Sequence, residues 1–230
     1  MWESLSVTSQ PTPHGLLPSA SRTGLVVEAL RRSILTGELP AGRALVEAEL
    51  ARYFGISKTP VREALKTLVG AGLVTMSDYK GATVRAVDAE MARSVFDVRS
   101  LLEPVAVART IERGLDLELA QDALNRAARA LDEADRSLAN RDFHQLLYSN
   151  CGNQVLVDML DGLREQTALI SVNAWTQQPS WDVEAAEHAD ILAAARRGDT
   201  DAATELVLNH IRSFEARAVG QLARPASHTG

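Results

Sequence analysis

Apolar positions recur at helical spacing along most of the chain, and the places where that spacing fails divide it into two parts. The first stripe, Val26, Val27, Leu30, Ile34 and Leu35, predicts a helix that begins near Thr23 and is closed by Gly37 just past its C-cap. Residues 37–42, with Pro40, read as a turn, and Leu45 and Val46 return to the core. A short amphipathic segment over 49–54 then ends at Gly55. From Pro60 onward Val61, Leu65, Leu68 and Val69 form another stripe, from which Thr59, Arg62, Glu63 and Lys66 look outward. Two short helices over about 47–70, joined through Gly55, make a helix-turn-helix pattern. Ser57 and Thr59 offer hydroxyls at the start of the second helix, and Pro60 sits where a missing N–H costs nothing. One local rule is broken: Val46 stands where a Ser or Thr cap is expected.

The period shortens to two over 73–76 and again over 82–87, with a turn at 78–81 between them. A hairpin directly after a helix-turn-helix is a wing. Lys80 lies at its tip, and Gly81 lets the backbone approach another molecule. From Asp88 to about Leu222 the pattern is helical again, over 88–113 (with a break near Ser94 and a kink at Pro104), 116–136, 137–151, 153–174, 181–196 and 199–222. Gly114, Gly152 and Gly198 punctuate these helices, and Asn153 is a plausible cap. The expected fold is mainly α. A winged helix-turn-helix with a small β-hairpin occupies 21–87, and an antiparallel all-α bundle of six or seven helices occupies 88–223. Residues 1–20 and 224–230 lack a periodic apolar pattern and read as disordered tails.

Composition narrows the classes. Hydrophobic residues make up 46% of the chain but aromatics only 4%, which points to Leu/Ala/Val helix packing rather than a β-sandwich. No apolar run is long enough to span a bilayer, so no membrane partner is expected. Residues 1–20 carry neither the basic region nor the apolar core of a secretory signal, and the expected compartment is the cytoplasm. The single cysteine, Cys151, excludes an internal disulfide framework and reads as a small buried apolar group. The net charge of −6 argues against nucleic acid until the chain is divided. Residues 1–86 hold ten Lys/Arg against seven Asp/Glu, net +3; residues 87–230 hold fourteen against twenty-three, net −9. Only the front part is suited to approach phosphate.

Candidate chemistry lies in the bundle. His144, His188 and His210 fall on three different predicted helices, and Asn140 shares a face with His144 one turn earlier. Inward-facing side chains from several helices are how bundles build metal sites, and three imidazoles with one oxygen suit zinc, nickel or a similar divalent ion. Each histidine alone reads first as a packed or surface structural group, and it is their company that points to a site. Arg99 is a cation inside an apolar segment. It reads either as a salt bridge to Glu103 four residues on or as a clamp for a carboxylate ligand. Two rival functions stay open on residues alone: a metal-dependent enzyme with Glu187 as base, and a bundle that serves only for dimerisation.

The motif residues Gly37 to Gly42, Glu49-Leu50-Ala51, Gly55 to Leu65, Leu68, Gly72-Leu73-Val74 and Gly81 resemble the GntR family of bacterial transcription regulators. Val98-Arg99, Leu102-Glu103, residues 140–144, Gly152-Asn153, Glu187-His188 and His210 resemble the FCD effector-binding domain of its FadR subfamily. The resemblance implies a homodimer that binds a pseudo-palindromic double-stranded DNA operator, by analogy as a repressor, under the control of a small carboxylate effector. It places Ser57, Lys58, Thr59 and Arg62 against DNA, with Lys80 and Gly81 at the wing. It makes Asn140, His144, His188 and His210 the ligands of a divalent metal ion, zinc before nickel or another transition metal, and Arg99 an effector contact. Three positions depart from the family pattern: Lys58 stands where Arg is usual, Ala48 where some members carry Arg, and Asn140 where many carry Asp.

Overall fold

The computed structural model describes residues 21–77, 79 and 81–223. The tails expected at 1–20 and 224–230, and Lys80 of the expected wing tip, lie outside the described residues. The described residues divide into two compact units, one ending at Arg85 and the other beginning at Ala86.

In the first unit α1 (Arg22–Leu35), α2 (Glu47–Phe54) and α3 (Lys58–Gly70) are followed by β1 (Val74–Ser77) and β2 (Gly81–Val84). Val26, Val27, Leu30, Ile34 and Leu35 of α1 are buried with Leu50 of α2 and Val61, Leu65 and Leu68 of α3. The expected stripes are therefore the core-facing stripes, except that Val69 is only partly buried and Ala64 takes part in its place. The α2–α3 turn depends on Gly55, whose φ of 65° is left-handed and would strain a residue with a Cβ. Val46 occupies the N-cap of α2, caps nothing with its side chain and is exposed, so of the pair expected in the core only Leu45 is buried. β1 and β2 pair antiparallel, Val74 opposite Val84 and Ser77 opposite Gly81. The second strand is shorter than expected. It ends at Val84, one residue before Arg85, whose N–H still donates to the carbonyl of Leu73 in register with the ladder. Residues 42–45 run along β2, with Gly42 and Leu45 donating to the carbonyls of Val84 and Ala82.

The second unit is a helical bundle: α4 (Ala89–Arg113), α5 (Leu117–Arg129), α6 (Glu133–Ser149), α7 (Gln154–Gln177), α8 (Trp181–Arg196) and α9 (Thr200–Leu222). α4 is continuous through Ser94, where a break was expected, and through the buried Pro104. The α5–α6 boundary falls at 130–132, several residues before the expected position. There Ala130 is extended and the Asp132 carboxylate caps α6 by accepting the N–H of Asp135. Asn153 caps α7 as expected. Phe96, Phe143, Leu147, Ile170, Trp175, Ile191, Val207 and Ile211 form the centre of the apolar core. Among the described residues no helix is long and apolar enough to cross a membrane.

Candidate metal centre and nucleic-acid interface

Within the bundle a small cavity of about 40 Å³ is lined by residues of α4, α6, α7, α8 and α9. His144 (α6), His188 (α8) and His210 (α9) enter it from separate helices, and all three are buried. Their Nε2 atoms converge: that of His188 lies 3.2 Å from His144 and 3.1 Å from His210. The three residues form a metal-capable group whose ligand atoms lie within 4.8 Å of one another.

Carboxylates set the tautomers. His144 Nδ1 lies 2.6 Å from Glu103 Oε1, and His210 Nδ1 lies 2.6 Å from Glu187 Oε2. A neutral imidazole that donates Nδ1–H turns an Nε2 lone pair to the cavity, so at least two lone pairs face the His188 nitrogen. One N–H on His188 can serve only one of them. Burial, with the charges of the other two histidines and Arg99, holds the His188 pKa well below its ordinary value. Burial likewise pushes His210 down to about 4, against the opposing pull of Glu187. Neutral imidazoles are the ligating form. Two nitrogens on a tetrahedral zinc at roughly 2.0–2.1 Å stand about 3.3 Å apart, close to the spacing here. The donor set fits a divalent transition metal.

Asn140 lines the same cavity one turn before His144. Arg99 lines it too, but its Nε and Nη2 donate to the two oxygens of Glu103 at 2.8 and 3.2 Å. The salt bridge that sequence spacing allowed is formed, and both partners are buried. Burial raises the Glu103 pKa, yet Arg99 and His144 outweigh it and hold the carboxyl far below its usual range. Glu187, the candidate base of the enzyme reading, orients His210 and also meets Arg217 at 3.4 Å.

Arg164 of α7 was not anticipated. It lines the cavity, its Nε and Nη1 are buried without a hydrogen bond, and Nη1 lies 3.3 Å from Asp161. The signal was present in the sequence, since Leu160 and Ala168, four residues to either side, are both buried. A cation on a core stripe marks a cavity as Arg99 does.

In the first unit α3 buries Val61, Ala64, Leu65 and Leu68 and leaves Lys58, Thr59 and Arg62 exposed. Ser57 is its N-cap residue and is exposed, and its hydroxyl makes no capping bond. Gly81 opens β2 with a φ of 64° and nothing near where a Cβ would stand, so backbone is bare at the wing.

Comparison with known proteins fits both units. The pattern of the bacterial regulatory proteins of the gntR family matches residues 23–84, and that of the FCD domain matches 94–213. The chain belongs to the GntR family. Its members are DNA-binding transcription regulators rather than enzymes, and the pairing with an FCD domain is the FadR-type architecture. The chain is 29% identical over 199 residues to the Escherichia coli HTH-type transcriptional repressor GlaR, covering 79% of this chain and 89% of the repressor. It is 25% identical over 221 residues to the E. coli galactonate operon transcriptional repressor, covering 86% and 96%. A GntR transcriptional regulator from a Rhodococcus species shares the fold at TM-score 0.75 and 23% identity, over 89% of this chain and all of that one.

Proposed function

We propose that this GntR regulator is a homodimeric repressor in which a divalent metal and a small carboxylate, bound together in the bundle, control binding to a pseudo-palindromic operator. The observation that carries the reading is the convergence of three buried imidazole nitrogens in a chain whose other unit is a winged helix-turn-helix. α3 enters the major groove with Ser57, Lys58, Thr59 and Arg62 toward DNA, and the wing approaches the backbone through Lys80 and Gly81. His144, His188 and His210 hold the metal, zinc before nickel, with Asn140 as a neutral fourth donor. When bound, the metal supplies a Lewis-acidic anchor for a carboxylate. Arg164, whose Nε makes no hydrogen bond and whose Nη1 has only the Asp161 carboxylate 3.3 Å away, offers N–H groups to the same carboxylate, and Arg99 presents whatever edge Glu103 leaves free. The cavity has room for only a few water-sized groups, which favours a short acid. On α4, Val98, Leu101 and Val105 form an exposed apolar stripe that supports a dimer face.

An effector alters DNA binding only by preferring one arrangement of the dimer, typically changing affinity by about 5- to 150-fold. The test has two readouts. Protein purified without chelator is analysed for metal, as wild type and as the double variant His144→Ala/His188→Ala. Wild type should retain transition metal and the double variant none. Small carboxylates are then screened by thermal shift with and without zinc or nickel. Metal-free wild type would overturn the centre. Metal without stabilisation by any acid would leave the bundle as a dimerisation unit.

A further inference from the structure

Glu47 is the first residue of α2, and Arg62 lies on the second turn of α3. The Arg62 Nε donates to Glu47 Oε1 at 2.9 Å and its Nη2 to Oε2 at 2.8 Å. This side-on pair uses Nε–H and one Nη2–H. The end-on edge of the guanidinium, formed by Nη1–H and the second Nη2–H, is left over. That edge carries two parallel N–H groups, the fork that matches O6 and N7 of guanine.

We propose that Glu47 is a positioning residue for DNA reading: it grips Arg62 side-on so that the end-on fork is held outward to select a G·C pair. The proposal rests on the reading of Arg62 as DNA-facing. The pair is exposed, with 55% of the Arg62 side chain and 29% of the Glu47 side chain accessible, so it contributes little to stability. It also places a carboxylate on the face that meets phosphate. The Arg62 hydrogen bond keeps that carboxyl ionised, with Lys58 and Lys66 acting in the same direction. Lys58, Arg62 and Lys66 recur every four residues and form one ridge of α3, so Glu47 neutralises part of the only regular cationic row on that helix among the described residues. A residue that weakens general attraction to DNA and adds little to folding has its use in discrimination. Its footing is rigid, because Leu50 and Ala51 of α2 and Val61 and Leu65 of α3 are all buried. An unpaired Arg would sample many rotamers and satisfy any phosphate within reach.

The full-length protein is first used to enrich duplexes from a random library. The enriched duplex and a shuffled duplex of equal composition are then titrated by fluorescence anisotropy at one salt concentration. Glu47→Ala should lower the ratio of the two affinities about tenfold, with affinity for the shuffled duplex unchanged or stronger. Glu47→Gln, which keeps the side chain's size, should move the ratio in the same direction and decides the matter if the alanine variant melts early. Arg62→Ala should lower the ratio at least as far, and adding Glu47→Ala to it should change the ratio no further. If Glu47→Ala leaves the ratio unchanged or raises it while Arg62→Ala lowers it, the positioning role falls and the DNA-facing role of Arg62 stands. An equal further loss in the Arg62→Ala background would mean a structural role and also overturn the proposal. If Arg62→Ala has no effect, or wild type enriches no sequence, the proposal falls together with the reading beneath it.

Discussion

Substituting Glu103 separates the stability of the bundle from its chemistry. Glu103 is 1% exposed and accepts three hydrogen bonds, two from Arg99 and one from His144. Glu103→Gln removes the charge that compensates Arg99, itself only 6% exposed. Breaking a buried pair on one side costs about 3–5 kcal/mol, because the surviving ion has lost its partner and cannot regain water. That is a large share of the roughly 5–15 kcal/mol that holds a domain folded, and corresponds to a fall of about 6–20 °C in melting temperature. The double replacement Arg99→Met/Glu103→Met leaves neither charge, so most of the loss should return. Metal affinity should behave differently. The double variant removes the acceptor that orients His144, whereas Gln keeps one oxygen for it, and loss of such a partner weakens a metal site about 10- to 100-fold. Unfolding would be followed in urea by the fluorescence of Trp175 and Trp181, both in the bundle, and metal affinity by competition with a chromophoric chelator. Glu103→Gln within about 1 kcal/mol of wild type would refute the buried-pair argument. A double variant that binds metal like wild type would refute the orienting role of Glu103.

Two further outcomes follow from single residues. Burial raises the Glu184 pKa, although Ser180 and Trp175 both donate to Oε1 and oppose the shift. A carboxyl whose folded pKa exceeds its unfolded value of about 4.3 contributes stability below that value and loses it as pH rises through the folded pKa. Glu184→Gln can still accept both hydrogen bonds and has no charge to bury, so its melting temperature relative to wild type should be higher at pH 7 than at pH 4; the opposite order would count against the assignment. At the helix-turn-helix corner, Gly55→Ala meets no neighbouring atom within 4 Å and must still adopt a φ of +65°. Its cost should be that of the backbone alone, about 1 kcal/mol in a thermal melt.

Periodicity located the elements because each helix here hides one face. The stripe from Val26 to Leu35 is buried as written, and that beginning at Val61 is buried as far as Leu68, with Val69 only partly covered. Boundaries were less legible where a cap, not a stripe, decides them. Ala123 and Ala134 are both buried on either side of the α5–α6 junction, so apolar spacing runs on while Asp132 ends one helix and starts the next. The three histidines were legible as a set because one falls on each of three helices. Their carboxylate partners were not. Glu103 lies 41 residues from His144 and Glu187 lies 23 from His210, and no spacing rule joins residues across a bundle. Arg99 was legible only as a pair of alternatives, since an i,i+4 partner in sequence does not reveal whether the pair is buried. Arg164 was legible only through its place between Leu160 and Ala168, because an apolar stripe does not reveal that a cavity lies beneath it.

The polar pairs of the two units share one design at very different energies. Glu47 grips Arg62 at the surface; Glu103 grips Arg99 and His144 in the interior; Glu187 grips His210 between them in exposure. In each case a carboxylate fixes one edge of a planar cation or imidazole and leaves the opposite edge for something else. At the surface this costs little and gains little in stability, so only a ligand can make the fixed orientation worthwhile. In the interior the same arrangement spends desolvation that an apolar pair would avoid, and well-packed hydrophobic side chains would serve folding as well or better. Neither cost is explained by folding. Each is explained if the remaining edge meets a partner with a demanding geometry: a base pair for Arg62, and a divalent cation for the imidazoles.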